Sequence, residues 1–258
     1  AGTASTVTHT YAAGGTYTIT LTVTDNGGAT NSTTRNVTVA AATAEFARDA
    51  FGRTVPAGGW GNAEVGGAWT ASVGGNRLSV TPGAGVMDLP AAGNNTGAFL
   101  GGVSQTSADI RTSIVVPVAP VGTAGTDAYV SGRRVGPGEE YRVRVRFYTN
   151  GTVGLVLSRL SGGAAEAFPG GEAIVPGLTY TPNTTLNVRV QASGTGTTTV
   201  RAMVWTGATE PAAWQITRTD TTAALQVAGA VGLGAYRPTS NTTATSVRFT
   251  SFSARPVA

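Results

Sequence analysis

The residues Tyr141-Arg142-Val143-Arg144-Val145-Arg146-Phe147-Tyr148 alternate without a break between apolar and charged side chains. A period of two puts successive side chains on opposite faces of an extended backbone, so this stretch can bury one face only as a β-strand. The same period runs through Tyr17, Ile19, Leu21 and Val23, with Thr16, Thr18, Thr20, Thr22 and Thr24 between them. No stretch of ten or more residues carries the 3.6 period of an amphipathic helix. The fold class this predicts is all-β. Composition agrees, because glycine accounts for 37 of 258 residues and charged residues for only 12%. That excludes coiled coils and helical bundles. A hydrophobic content of 41% excludes disorder, and no apolar run approaches the roughly 18 residues that span a bilayer, so membrane insertion is not expected.

Two segments separate on pattern. Residues 1–41 are threonine-rich, with Asp25-Asn26-Gly27-Gly28 as turn and Asn36–Val39 as returning strand. Residues 42–44 read as a short linker. Residues 45–258 hold short strands at regular spacing, predicted near 45–51, 67–73, 77–81, 108–118, 127–135, 214–219, 229–236 and 246–253. Two hairpins are clearest. One turns at Asn150-Gly151, where both residue types suit a type I′ turn. The other joins Leu186–Val190 to Thr199–Trp205. Roughly a dozen strands fit a two-sheet jelly roll.

His9-Thr10-Tyr11, then Gly15 to Asp25 and Gly28, resemble the C-terminal half of a PKD domain. That family is a small immunoglobulin-like β-sandwich used as a spacer in secreted and surface proteins. Half a sandwich leaves edges and an apolar face uncovered, so the resemblance implies strands supplied from upstream or by another chain. The second resemblance rests on Phe46, Asp49-Ala50-Phe51-Gly52-Arg53, Gly59-Trp60-Gly61 and Gly66-Gly67-Ala68-Trp69. With the corner from Trp205 to Trp214 and the closing Val247–Phe252, these are similar to a concanavalin A-like (laminin G-like) sandwich of secreted bacterial and phage-tail proteins. The resemblance implies that the last strand pairs with the first, and core or corner roles for Trp60, Trp69, Trp205 and Trp214. It implies no calcium ligand at Thr250-Ser251-Phe252, where the family often has Asp-Asn-Phe.

Catalytic chemistry finds few residues to work with. Cysteine is absent and the single histidine is His9, so thiol, Ser-His-Asp and Cys-zinc chemistry are excluded for residues 45–258. No carboxylates recur at the alternate positions that glycosidases of this fold use, and Glu139-Glu140 should point to opposite faces. Asp88, Asp109, Asp127 and Asp220 follow no calcium-loop spacing. The expectation is therefore no enzyme, no metal and no cofactor. The net charge of +4 does not argue for nucleic acid.

Arginine in register is what remains. Arg142, Arg144 and Arg146 oppose Tyr141, Val143, Val145 and Phe147, and Arg189 and Arg201 oppose Val188, Val190, Val200 and Val204. Were these strands neighbours, they would form one arginine-bearing face, with forks suited to carboxylates and vicinal hydroxyls. Tyr129 and Tyr148, then Tyr180 and Tyr236, are candidate platforms for sugar rings. The competing reading is a solvated face paired with Glu139, Glu140, Glu166 and Glu172. The expected function is a non-catalytic extracellular module that binds a polysaccharide or cell-surface glycan in adhesion. The alternative is a structural subunit of a filament, surface layer or phage tail that self-assembles through the partial PKD segment.

Overall fold

The computed structural model describes residues 8–11, 14–39, 44–164 and 170–257, and the chain divides into two compact units, Ala1–Ala44 and Glu45–Ala258. In the first unit, β1 (Gly15–Thr24) and β2 (Thr30–Val39) pair antiparallel in unbroken register, Gly15 opposite Val39 and Thr24 opposite Thr30. The returning strand thus begins six residues before the expected one. The Asp25 carboxylate closes the turn by accepting from the backbone N–H of Gly27 and Ala29. One face of this ribbon is a ladder of hydroxyls and amides, with Thr22 and Ser32 2.8 Å apart and Thr18 donating to Asn36 at 2.9 Å. The other face leaves Ile19, Leu21 and Val23 46–60% exposed.

The second unit is two antiparallel sheets. The seven-stranded sheet runs, edge to edge, β12 (Ala173–Thr179), β11 (Thr152–Leu160), β10 (Glu139–Phe147), β9 (Thr126–Gly136), β16 (Gly229–Tyr236), β7 (Asn95–Gln105) and β4 (Trp69–Val73). The opposing sheet runs β15 (Ile216–Asp220), β14 (Thr198–Trp205), β13 (Thr185–Ser193), β8 (Ala108–Val115), β17 (Thr245–Arg255), β6 (Ala84–Leu89) and β5 (Leu78–Thr81). The short β3 (Ala47–Asp49) joins it, with Phe252 of the last strand opposite Asp49 of the first.

Alternation fills the space between the sheets. Tyr141, Val143, Val145 and Phe147 from one side meet Leu186, Val188 and Val190 from the other, all at most 2% exposed. At the closing edge Phe51, Trp60, Trp69, Phe249 and Phe252 pack ring against ring, with centroids 5.1–6.3 Å apart. Asp49 lies among them, 1% exposed. Its carboxylate accepts from the Phe51 N–H at 2.8 Å, from Trp69 Nε1 at 2.7 Å and from both Arg53 Nη atoms at 2.7 and 2.8 Å. The Asp-x-Phe-x-Arg opening is thus the polar anchor of the aromatic cluster.

Three strands escape the period-two reading. β6 is buried on nearly every residue, β7 is broken by glycines, and β12 carries Pro176 and Gly177. The Asn150-Gly151 turn is not type I′. Gly151 alone has positive φ (81°), while the Asn150 side chain accepts from the Thr152 N–H.

Candidate functional site

The outer face of the seven-stranded sheet is set by register, and its side chains fall in rows across β7, β16, β9 and β10. One row reads Asn95, Tyr236, Asp127, Arg146, and the next Gly97, Gly234, Tyr129, Arg144. The third reads Phe99, Gly232, Ser131, Arg142, and the fourth ends in Arg134 and Glu140. Two glycines stand side by side in the second row; the Ser72 hydroxyl lies over Gly97, and Gly234 is bare backbone. A groove of about 220 Å³ lies there, lined by Asn95, Phe99, Tyr129, Ser131, Arg134, Glu140 and Arg142 among others.

Arg134 reaches this face through a bulge. Tyr141 and Arg142 are adjacent on β10 but face Arg133 and Ser131 of β9, so Gly132 has no partner. One extra residue reverses the side-chain phase of the strand beyond it. Arg133 therefore turns inward, fully buried, and donates to Thr198 Oγ1 and to the carbonyls of Leu225, Gly194 and Thr106. Burial lowers its pKa. A side chain at Gly132 has no room, since its Cβ would stand 2.9 Å from that of Ala192.

Each aromatic wall of the groove carries a guanidinium. Arg142 lies 4.1 Å over the Tyr129 ring and Arg134 4.6 Å over Phe99, within reach of the cation–π attraction. Glu140 bridges the two sides of its own strand pair, accepting from Ser131 Oγ at 2.9 Å and from Arg142 at 3.2 Å.

Of the residues singled out from sequence, Tyr129 and Arg142 enter the groove. Arg144 and Arg146 share its face but do not line it. Arg146 makes a two-point pair with Asp127 at 2.7 and 2.8 Å, and those hydrogen bonds raise its pKa. Tyr148, beyond the end of β10, donates to Glu172; burial, then that carboxylate, raises its pKa. Arg189 and Arg201 belong to β13 and β14 of the opposite sheet, so the single arginine face does not form. Arg189 grips Asp109 at 2.7 and 2.8 Å and Glu210 at 2.6 Å, while Arg201 holds Gln191. Both guanidinium groups lie over Trp214, at 5.0 and 4.5 Å. These two arginines and Glu210 clip the Trp205–Trp214 corner to its sheet.

The tyrosine platforms are corrected as well. Tyr180 is 3% exposed, edge-on to Phe147 at 4.8 Å, and its burial raises the phenol pKa. Tyr129 is 7% exposed beneath its arginine. Three of the four aspartates weighed as calcium ligands are taken by arginine: Asp109 by Arg189, Asp127 by Arg146 and Asp220 by Arg159. Among the described residues no cluster of three acidic or histidine side chains could hold a metal. His9 lies edge-on to Tyr11 at 4.6 Å, in the first unit. Sequence reasoning missed Arg134 and Phe99. The signal for Arg134 was Gly132, a glycine inside a strand pattern, which marks a bulge.

Two sheets packed face to face around one aromatic-anchored core, with a polar groove on an outer face, define a concanavalin A-like β-sandwich. The comparisons agree, and the PKD domain family matches residues 1–40 ahead of it. The carbohydrate recognition domain of Emp47p superposes with a TM-score of 0.52 at 10% identity, covering 82% of this chain and 98% of that one. A variant of the GH43 protein BlXynB from Bacillus licheniformis gives 0.52 at 9% identity, covering 92% of this chain and 46% of its own. The carbohydrate binding module CBM66 from Bacillus subtilis gives 0.48 at 14% identity, covering 70% and 91%. No curated protein sequence matches the chain.

Proposed function

We propose that residues 45–258 are a non-catalytic glycan-binding module of a secreted or surface protein, with the PKD unit as spacer and the outer-face groove as saccharide site. The observation that carries this reading is the Gly97–Gly234 pair, which opens a floor of backbone and the Ser72 hydroxyl between the Tyr129–Arg142 and Phe99–Arg134 walls. Donors and acceptors converge there from Asn95, Ser131, Glu140 and two arginines, as a polyhydroxylated ligand requires. The ring faces are covered by guanidinium groups, so hydrogen bonding rather than ring stacking does the recognition. Among the described residues Glu140 is the one carboxylate lining the groove, whereas glycosidases use two about 5–10 Å apart; that supports binding without turnover.

The test is retention of the full chain on a panel of polysaccharides, with Gly234→Leu as the groove-filling variant. A Cβ at Gly234 would meet the Tyr129 Cβ at 3.4 Å, ordinary contact distance. Retention should fall at least tenfold with thermal unfolding unchanged, and no reducing ends should appear. Undiminished retention by the variant would remove the groove from consideration.

The exposed Ile19, Leu21 and Val23 favour a second reading, a structural subunit whose PKD unit is covered by another copy of the chain.

A further inference from the structure

We infer that the groove selects saccharides bearing a carboxylate, and that Arg134 is the group that reads it; this rests on the groove being a saccharide site. By register the cross-strand partner of Arg134 is Glu140, yet the Glu140 carboxylate is turned to Ser131 and Arg142. Among the described residues no acidic side chain pairs with Arg134 and no hydrogen bond fixes its guanidinium. The other arginine of the groove, Arg142, has its charge offset by Glu140 at 3.2 Å. Among the described residues the groove therefore keeps one positive charge without a counter-ion, on Arg134.

The fork is also held in place before any ligand arrives. Its Cζ stands 4.6 Å over the centre of the Phe99 ring, reaching across β16 where Gly232 leaves the row without a side chain. A Cβ at that glycine would stand 2.8 Å from the Ala98 carbonyl and 3.0 Å from the Phe99 Cβ, so the crossing stays open. The ring contact keeps the guanidinium beside Phe99 and leaves an edge of its N–H groups for a ligand. A planar carboxylate meets that edge through two parallel hydrogen bonds, and a neutral sugar cannot supply the matching charge. The groove is smaller than the ~300–1,000 Å³ of drug-sized sites, so it suits one ring at a time. A uronic acid unit within a chain has the required shape and charge.

The experiment titrates the full chain with polygalacturonate, with its carboxyl-reduced neutral form, and with dextran sulfate. Polygalacturonate should bind at least tenfold more tightly than either. Arg134→Gln should abolish that preference, so that polygalacturonate and its reduced form bind alike, and Arg134→Lys should recover only part of it because the fork is lost. Equal binding of polygalacturonate and its reduced form overturns the inference and leaves the groove as a neutral-sugar site. Equal binding of dextran sulfate overturns it in favour of charge attraction without recognition. Binding of none of the three overturns the inference, and Gly234→Leu on the wider panel then decides the groove by itself.

Discussion

Replacing Asp49 with alanine tests the anchor of the aromatic cluster. The carboxylate, 1% exposed, accepts four hydrogen bonds, from the Phe51 N–H, Trp69 Nε1 and two Arg53 nitrogens. Phe51 is fully buried and Trp69 is 6% exposed, so neither donor can turn to bulk water. An unsatisfied buried donor costs about 1–3 kcal/mol. Arg53 keeps its bonds to the Trp60 carbonyl and its side chain is 26% exposed, so it adds less than a fully buried charge would. The sum is about 3–5 kcal/mol, in the range for breaking a buried pair from one side. Asp49→Asn keeps one acceptor oxygen and should cost roughly half. All four tryptophans lie in residues 45–258, so tryptophan fluorescence in urea follows that unit alone. With a slope of about 3 kcal/mol per molar urea, the alanine midpoint should fall by about 1–1.7 M. A fall of less than about 0.3 M would refute the anchoring role.

Two further outcomes are expected. Burial raises the Asp109, Glu210 and Asp220 carboxyls, but hydrogen bonds and charge from Arg189, Arg111, Tyr141 and Arg159 outweigh it and leave all three below their ordinary values. A lowered folded pKa gives stability that is full above the ordinary carboxylate range, about 4, and is lost as pH falls through the folded values. Melting temperature should thus be level above about pH 5 and drop below about pH 4, with a shallower acid limb in Asp109→Asn; an identical limb would contradict this assignment. If a second copy covers the ribbon of the first unit, sedimentation of the full chain should show a concentration-dependent mass that Leu21→Asp reduces to the monomer, and a monomer at every concentration would sink the structural reading.

The strands with one polar face were legible from sequence because their alternation is the burial pattern itself: β10 shows Tyr141, Val143, Val145 and Phe147 inside and the three arginines outside. Strands buried on both faces, such as β6, carry no alternation to read. Alternation also says nothing about which sheet a strand joins. That is why Arg189 and Arg201 seemed to extend the Arg142–Arg146 face when they lie on the far side of the sandwich. Tyr129 and Arg142 were found because they precede the point where β9 changes phase or sit on a regular strand. Arg134 follows that point. Read straight through from Tyr129, the period assigns Arg133 to the groove and Arg134 to the core, the reverse of their places.

That reversal gives the Arg133-Arg134 pair a property neither residue has alone. Drawing Gly132 into the ladder would slide the distal half of β9 by one step, sending one guanidinium out of the interior and the other in, whereas deleting its codon removes the extra residue and leaves both where they are. At this glycine surface and interior are therefore exchanged by register alone, in one event and with no change of residue. Point substitutions along the rest of the strand can only tune side chains whose sides are already fixed.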